Sequence, residues 1–246
     1  MSDDFDSIVG DIDDELDLTL YADAKELSEE VTVQILASIE RGLKLKNQYH
    51  LVLTGGTLGV QISEALVNEF NADPDGFAGL HIWWSDERFV PADSVERNAF
   101  PFHKTVVNSK IVIHEVLASD VAKSIDESVS DYELALENVD IDLNILGLGP
   151  DGHVASLFPG VADIDDQRRI FAITDSPKPP PARVSFTMST INSAQEVWIV
   201  AAVKVKLRQL LKLLKAISLS QQAMFEVIHT LDLLLILKPS FQSNFT

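Results

Sequence analysis

The segment that most constrains the fold of this chain is an apolar strand followed at once by a glycine-rich loop. Residues 141–146 (Ile-Asp-Leu-Asn-Ile-Leu) have the composition of a buried strand, and residues 147–159 continue it with Gly-Leu-Gly-Pro-Asp-Gly-His-Val-Ala-Ser-Leu-Phe-Pro. Glycines at a strand end permit positive φ and let backbone N–H groups approach a ligand. Because open α/β sheets bind ligands at the carboxyl ends of their strands, His153 lies where a general base would lie. The structural alternative is a packed histidine in a strand-to-helix turn.

Apolar segments with the composition of strands alternate with helical patterns along the chain. An apolar stripe at helical spacing over 22–43 precedes a strand at 50–54 that ends in Gly55-Gly56, and helical spacing returns over 58–70. Strand, glycine turn and helix in this order begin a βαβ unit. Further strands are predicted at 80–84, 110–116, 141–146, 170–174, 183–188 and 196–202, and further helices at 97–107 and 120–139. This order predicts an α/β fold with a doubly wound, mostly parallel sheet.

The composition excludes several classes of protein. The formal net charge is −19, whereas nucleic acid is bound by basic surfaces, so we expect no nucleic-acid partner. Cysteine is absent, which removes disulfides, thiolate catalysis and cysteine-bound zinc, and the histidines do not have the spacing of a metal site. The acidic N-terminus lacks the pattern of a secretory signal, and no apolar run reaches the roughly 20 residues of a membrane helix. We expect a cytoplasmic protein, monomeric or homodimeric, that binds no membrane and needs no metal or cofactor.

Three blocks of the sequence resemble the 6-phosphogluconolactonase family. They are residues 51–59 (Leu-Val-Leu-Thr-Gly-Gly-Thr-Leu-Gly), residues 83–91 (Trp-Trp-Ser-Asp-Glu-Arg-Phe-Val-Pro) with Arg97-Asn98 shortly after, and the loop 147–159. Their order and spacing also agree with the family, and the resemblance covers roughly residues 15 to 202. It implies a modified Rossmann-like three-layer sandwich. It also implies hydrolysis of 6-phospho-D-glucono-1,5-lactone to 6-phosphogluconate in the oxidative pentose phosphate pathway, with a small sugar phosphate as substrate.

The resemblance assigns roles to individual residues. It makes His153 the general base, for which an imidazole with a pKa near 6.5 is suited, while Asp151 either orients the ring or caps the following helix. The amides of Gly55, Gly56 and Thr57 are predicted to bind phosphate at a helix N-terminus. Arg88 is the preferred guanidinium for phosphate, the alternative being a surface ion pair with Asp86 or Glu87. The remaining residues predicted to bind substrate are Asp86, Asn98 (by contact with sugar hydroxyls), Gly149, Gly152, Ser156, Arg183 (at the rim of the site) and Lys206.

The C-terminal part of the chain departs from the family pattern after Ala202. Residues 203–246 contain six Lys or Arg, two Asp or Glu, eleven leucines and no glycine. Codons for Val-Lys-Val-Lys at 203–206, read one nucleotide earlier, can encode the Gly-Glu-Gly-Lys that the family implies, and the same frame at 224–227 can encode Val-Arg-Gly. We therefore expect three regions: an acidic flexible N-terminus (1–16), the α/β domain (17–202) and an atypical tail (203–246). The tail is either frameshifted or a natural basic, leucine-rich segment that forms one or two helices, and it stands in place of the last strand and helix of the family fold. Their loss would leave a sheet edge unprotected, unless the amphipathic stretch with Leu207, Leu210, Leu211 and Leu214 covers the sheet as a replacement helix.

Two other functions are compatible with parts of the pattern. Glucosamine-6-phosphate deaminases also have an Asp-Gly-His loop, but they follow it with a Phe-Asn-Glu type of sequence where this chain has Ser-Leu-Phe-Pro at 156–159. Release of ammonia from glucosamine 6-phosphate would distinguish them. A sugar-phosphate-binding protein that has lost catalysis through its altered tail is the non-enzymatic alternative.

Overall fold

The structure, a computed structural model, describes residues 16–21, 23–73, 75–103, 105–108, 110–160, 166–204 and 232–239. Its helices are α1 (Ala24–Leu45), α2 (Gly56–Ala72), α3 (Ile125–Ala135) and the short α4 (Met188–Asn192). Its strands are β1 (Leu16–Tyr21), β2 (Tyr49–Leu53), β3 (Leu80–Trp84), β4 (Asp86–Arg88), β5 (Val112–Ile113), β6 (Leu143–Gly147), β7 (Ile170–Ile173), β8 (Arg183–Phe186), β9 (Glu196–Lys204) and β10 (Asp232–Pro239).

Seven of the strands form one twisted sheet in the order β1-β10-β9-β6-β2-β3-β5. The five strands from β9 to β5 run parallel, whereas β10 and β1 are added antiparallel at one edge. A second, antiparallel sheet has the order β4-β8-β7. The predicted doubly wound, mostly parallel sheet is confirmed.

Helices and the small sheet cover the two faces of the main sheet. Along β2 the side chains alternate, so that Leu51 and Leu53 pack with α1 and α2 while Val52 packs on the opposite face. On that opposite face lie Tyr132 of α3 and Phe186 of β8, both buried. The molecule therefore has the three layers that the family resemblance implied, with one apolar core on each side of the sheet.

Side-chain caps fix where the two longer predicted helices begin. The Asp23 carboxylate accepts hydrogen bonds from the N–H groups of Lys25 and Glu26, each at 2.9 Å, and starts α1. Ser124 Oγ accepts from Glu127 N at 3.2 Å and starts α3 there, so the helix predicted over 120–139 is shorter than expected. Among the described residues, no helix has the length and apolar content needed to cross a bilayer.

The helix predicted over 97–107 is wrong: the described residues of this segment form successive turns. The buried Glu87 carboxylate accepts hydrogen bonds from the backbone N–H groups of Asn98 (2.7 Å) and Ala99 (2.9 Å). Arg97, which is 2% exposed, lies 3.8 Å from the same carboxylate. The start of this segment is therefore anchored to β4 through Glu87.

The domain boundary expected at residue 202 does not coincide with the end of the sheet. Strand β9 continues to Lys204, and β10 from the predicted tail pairs with it from Asp232↔Lys204 to Leu237↔Ile199. The expectation of a missing last strand and an unprotected β9 edge is therefore wrong, because β10 satisfies that edge and β1 in turn pairs with β10. Residues 1–15, most of the tail and Lys206 lie outside the described residues.

Candidate active site

A cleft of about 430 Å³ opens where the carboxyl ends of β2 and β6 meet β4 and the loop before β8. This is the position at which open α/β sheets bind ligands. Nine of the predicted site residues line it: Gly55, Gly56, Thr57, Asp86, Arg88, Asn98, Gly149, His153 and Arg183. The structure thus brings together side chains from three blocks that lie far apart in the sequence.

His153 and Asp151 form a hydrogen-bonded pair at the edge of the cleft. The distance from His153 Nδ1 to Asp151 Oδ1 is 2.6 Å. Because an ionised carboxylate only accepts hydrogen bonds, the proton of this bond belongs to Nδ1. The other ring nitrogen, Nε2, then carries a lone pair and has no hydrogen-bond partner among the described residues. Of the two arrangements considered for Asp151, the structure has the carboxylate bonded to the imidazole, and Nε2 keeps its lone pair.

The surroundings of His153 keep its ring neutral. The side chain is 15% exposed, and the ring stacks on Phe158 with 4.5 Å between the centroids. Burial lowers the pKa of His153, and this outweighs the hydrogen bond and charge of Asp151, which raise it. For Asp151, burial would raise the carboxyl pKa, but the hydrogen bonds from Lys178 and His153 lower it on balance. At neutral pH the pair is an imidazole beside a carboxylate.

Lys178 is a residue of the cleft that sequence reasoning missed. Its Nζ lies 2.8 Å from Asp151 Oδ1 and 3.3 Å from His153 Nδ1. It stands in the proline-rich loop 177–181, between Pro177 and a cis peptide bond that joins Pro179 and Pro180. The available signal was that a run of prolines, which predicts a rigid loop, contains a single charged side chain.

The N-terminus of α2 forms the wall predicted to bind phosphate. Gly55 is the N-cap of the helix, Gly56 has φ of +76°, and Thr57 follows in the first turn. A Cβ on Gly55 would overlap the side-chain oxygen of Asn98, so this position requires glycine. The first turn of α2 therefore presents backbone N–H groups to the cleft, where the positive end of the helix dipole favours an anion.

Arg88 lies in the cleft wall on β4. Its Nη1 donates a hydrogen bond to the carbonyl oxygen of Glu96, while its buried Nε has no hydrogen-bond partner among the described residues. The alternative of an ion pair with Asp86 or Glu87 is contradicted in the described part of the chain, since Glu87 pairs with Arg97 and Asp86 with Arg183. The guanidinium thus keeps positive charge in the cleft that no neighbouring carboxylate neutralises directly.

The Asp86 carboxylate joins three of the predicted substrate-binding residues behind the cleft surface. Its Oδ2 accepts a hydrogen bond from Ser156 Oγ at 2.6 Å, and its Oδ1 accepts one from Asn98 Nδ2 at 2.9 Å. Arg183 Nη1 lies 3.6 Å from Oδ2. Asp86 is 5% exposed and Ser156 is fully buried. Asp86 and Ser156 therefore stabilise the cleft wall. The Asn98 NH2 group, which also donates to Asp86 O at 2.7 Å, is committed to the protein, whereas Asn98 Oδ1 has no hydrogen-bond partner among the described residues.

Arg183 is buried beneath the proline-rich loop rather than at an open rim. Its guanidinium donates to the carbonyl oxygens of Lys178 (3.2 Å), Pro179 (3.1 Å) and Pro180 (3.2 Å). It also lies over the Phe158 ring, 5.5 Å from the centroid. Burial lowers the Arg183 pKa, and the charge of Asp86 opposes that effect. Arg183 thus fixes the loop that carries Lys178.

Three predicted site residues do not line the cleft. Gly152 has φ of +87° and makes the turn between Asp151 and His153, which is a backbone role. Ser156 donates a hydrogen bond to Asp86, and Asp151 accepts hydrogen bonds from His153 and Lys178. Lys206 belongs to residues that the structure does not describe.

The fold and cleft define an α/β protein of the class that places a ligand cleft at the carboxyl ends of its parallel strands. A sequence model described as glucosamine-6-phosphate isomerases/6-phosphogluconolactonase matches residues 22–226. The chain belongs to this family. The match extends beyond residue 202, at which the resemblance was expected to end.

Individual relatives identify the branch of the family to which the chain is similar. A 6-phosphogluconolactonase of Streptomyces coelicolor is 32% identical over 202 residues, which are 75% of this chain and 77% of the relative. The crystal structure of a 6-phosphogluconolactonase from Thermotoga maritima has a TM-score of 0.56 at 28% identity, covering 68% of this chain and 76% of that one. The structure of the 6-phosphogluconolactonase from Trypanosoma brucei matches with a TM-score of 0.65 over 83% of this chain and 87% of that one. At 23% identity this likeness shows the fold alone.

Proposed function

We propose that the chain is a 6-phosphogluconolactonase in which His153 is the general base. The observation that carries the assignment of the base is the pair of ring nitrogens: Nδ1 is tied to Asp151 at 2.6 Å, and Nε2 is left as an acceptor in a cleft built for an anion. Hydrolysis of a cyclic ester requires a base near the carbonyl carbon and a means of holding the substrate. The family and the relatives at about 30% identity support the reaction.

The reaction proceeds by addition of water to the lactone carbonyl. Nε2 of His153 accepts a proton from a water molecule while the water oxygen forms a bond to C1. The other ring nitrogen, Nδ1, keeps its hydrogen bond to the Asp151 carboxylate. The bond from C1 to the ring oxygen then breaks, and the proton held by His153 passes to that oxygen. The products are the open hydroxyl and the carboxyl group of 6-phosphogluconate, so atoms and charge balance.

The phosphate is held at the opposite side of the cleft. The first-turn N–H groups of α2 at Gly56 and Thr57 supply hydrogen bonds, and the Arg88 guanidinium, which lines the cleft and pairs with no carboxylate in the described part of the chain, supplies positive charge. These contacts hold a dianion despite the net charge of −19, because focused local charge outweighs a diffuse surface charge. Anchoring the phosphate places C1 near His153.

The test is hydrolysis of freshly generated 6-phosphogluconolactone above its spontaneous rate. We expect His153→Ala to lower kcat by about 10²- to 10⁴-fold, the usual contribution of a general base. His103→Ala is the matched control. His103 lies on the turn segment 97–107, is hydrogen-bonded to Glu115 and does not line the cleft. Equal activity of wild type and His153→Ala would disprove the assignment of His153 as the general base.

Two other outcomes would identify the alternative functions. Ammonia release from glucosamine 6-phosphate would identify a deaminase, and binding of 6-phosphogluconate without turnover of the lactone would identify a binding protein.

We also propose that residues 203–246 are encoded in a shifted reading frame. Lys206, counted along the chain, occupies the position of a lysine that the family implies. The support is the abrupt change of composition after Ala202 and the recovery of two family motifs in one alternative frame. Sequencing the gene decides the matter, because codons 203–227 either can or cannot encode those motifs. Oligomeric state, monomer or homodimer, and a cytoplasmic location stay predictions.

A further inference from the structure

Two donors share one carboxylate oxygen beside the cleft. Asp151 Oδ1 lies 2.6 Å from His153 Nδ1 and 2.8 Å from Lys178 Nζ, and the two nitrogens are 3.3 Å apart. Because Nδ1 carries a proton, Lys178 cannot donate to it, and both groups direct hydrogen atoms at the same acceptor. A carboxylate oxygen has two lone pairs and accepts both hydrogen bonds here, so the two donors share Asp151 Oδ1, and a proton added to His153 would place two cations within 3.3 Å.

The main chain of Lys178 is fixed while its side chain remains accessible. The backbone N–H of Lys178 donates to Ser176 Oγ at 3.3 Å, and its carbonyl oxygen accepts from Ser176 Oγ at 3.0 Å and from Arg183 Nη2 at 3.2 Å. The side chain is 38% exposed and lines the cleft. A lysine on a rigid loop, with a flexible four-carbon stem, can therefore exchange one anionic partner for another without moving the loop.

We propose that Lys178 is a positioning residue that shares Asp151 with His153 in the free protein and transfers to an anionic group of the sugar phosphate when substrate enters the cleft. The proposal rests on the proposed function, because the anion is that of the substrate. Its consequence is that His153 gains sole use of Asp151 only in the complex. The base is then strongest when there is an ester for it to act on.

The charges around His153 give the direction of the effect. Asp151 and Asp86 raise the pKa of His153, while burial against Phe158 and the charge of Lys178 lower it. The Arg183 guanidinium, which also lies over the Phe158 ring, does not change partners, since its donors are committed to backbone carbonyls and Asp86. Moving the ammonium away from Asp151 therefore raises the pKa of His153 and makes Nε2 a better proton acceptor.

The first experiment measures the His153 pKa by NMR titration of its imidazole in the ligand-free full chain. Lys178→Met should raise this pKa, Lys178→Arg should restore the wild-type value, and Lys25→Met should leave it unchanged, since Lys25 is exposed on α1 and pairs with Glu29. A His153 pKa that stays the same or falls in Lys178→Met would overturn the proposal. Circular dichroism of each variant shows whether the fold is kept, and Lys178→Gln, which also removes the charge and should also raise the His153 pKa, replaces the methionine variant if that one unfolds.

The second experiment repeats the titration with saturating 6-phosphogluconate. Ligand binding should raise the His153 pKa in wild type and raise it less in Lys178→Met, in which no cation leaves Asp151. An equal rise in both proteins would exclude the transfer. If 6-phosphogluconate causes no shift in any cleft resonance, the proposed function fails, while the ligand-free titration still decides whether Lys178 acts on His153.

The pH dependence of the kinetics distinguishes an effect on His153 from a purely structural role of Lys178, which would leave the pH profile unchanged. The acidic limb of the kcat/KM profile reports the free-enzyme pKa of the base, so it should move to higher pH in Lys178→Met. KM should rise about tenfold with loss of a charge-assisted contact to the substrate. Lys178→Arg should recover both values. A Lys178→Met variant with an unshifted profile would count against the proposal.

Discussion

Removing the Asp86 carboxylate should destabilise the protein more than any other single change at the cleft. Asp86 is 5% exposed and accepts from Ser156 at 2.6 Å and Asn98 at 2.9 Å, with Arg183 at 3.6 Å. Breaking a buried ion pair from one side costs about 3–5 kcal/mol. The three carbonyl oxygens around Arg183 keep that guanidinium partly satisfied. We therefore expect Asp86→Ala to lose roughly 3 kcal/mol, at the low end of that range.

The assay is urea unfolding followed by tryptophan fluorescence, since Trp83, Trp84 and Trp198 are all buried. With an m-value of about 3 kcal/mol/M, the midpoint of Asp86→Ala should fall by roughly 1 M. Asp86→Asn should cost less, because an amide can still accept from Asn98 and donate to Ser156 Oγ. Asp93→Ala, at an exposed carboxylate of the next loop, is the control and should leave the midpoint unchanged. A loss for Asp86→Ala below about 1 kcal/mol would refute the view that this carboxylate organises the cleft.

Three further predictions follow from contacts in and around the site. A Cβ on Gly149 would overlap Cε1 and Nδ1 of His153, so Gly149→Ala should displace the base and lower kcat by roughly 10²-fold, and unchanged kcat would show that the ring can move aside. Phe158→Leu removes the ring face that His153 stacks on at 4.5 Å, so kcat should fall about tenfold while Phe158→Tyr retains activity, and equal kinetics of the two variants would argue against a role for the ring. Burial, together with His81, lowers the pKa of both His50 and His114 to about 4, below the unfolded value of about 6.5. The unfolded chain then binds more protons between these pH values, so the free energy of unfolding should drop by roughly 3 kcal/mol for each of the two histidines from pH 6.5 to pH 4, and by less in His114→Phe. Denaturant midpoints measured across that range test it, and a flat profile would contradict it.

The central sheet could be predicted because its signals are local. Each parallel strand is a short apolar run, and those at β2 and β6 end in glycines that mark the turn to the cleft. The antiparallel edge was missed for two different reasons. Residues 16–21 (Leu-Asp-Leu-Thr-Leu-Tyr) alternate apolar and polar side chains, a strand signal hidden by its position beside an acidic terminus. Residues 232–239 form an apolar run, which periodicity alone cannot divide between helix and strand.

The candidate site was predictable as a set of residues but not as a set of contacts. The loop pattern identified His153 and Asp151, and the structure places their nitrogen and oxygen at 2.6 Å. Sequence spacing could not show that Lys178 would share that carboxylate, because the loop that carries it comes from a different part of the chain. Nor could it show that the buried Glu87 carboxylate would bind the N–H groups of Asn98 and Ala99, because that contact depends on how the chain turns between the two segments.

The position of β10 between β1 and β9 also determines the order in which the fold can be completed. Leu16 pairs with Pro239 across this edge, so β1, the first of the described strands, acquires its partner only when β10, the last of them, has been made. Parallel pairing of β2, β3 and β6 requires nothing from the C-terminal segment and can precede it. Closing so long a loop is slow, and until it closes the β9 edge is open to pairing with another chain. Aggregation during synthesis or refolding should therefore compete with this last step, and it should decrease when refolding is carried out at lower protein concentration.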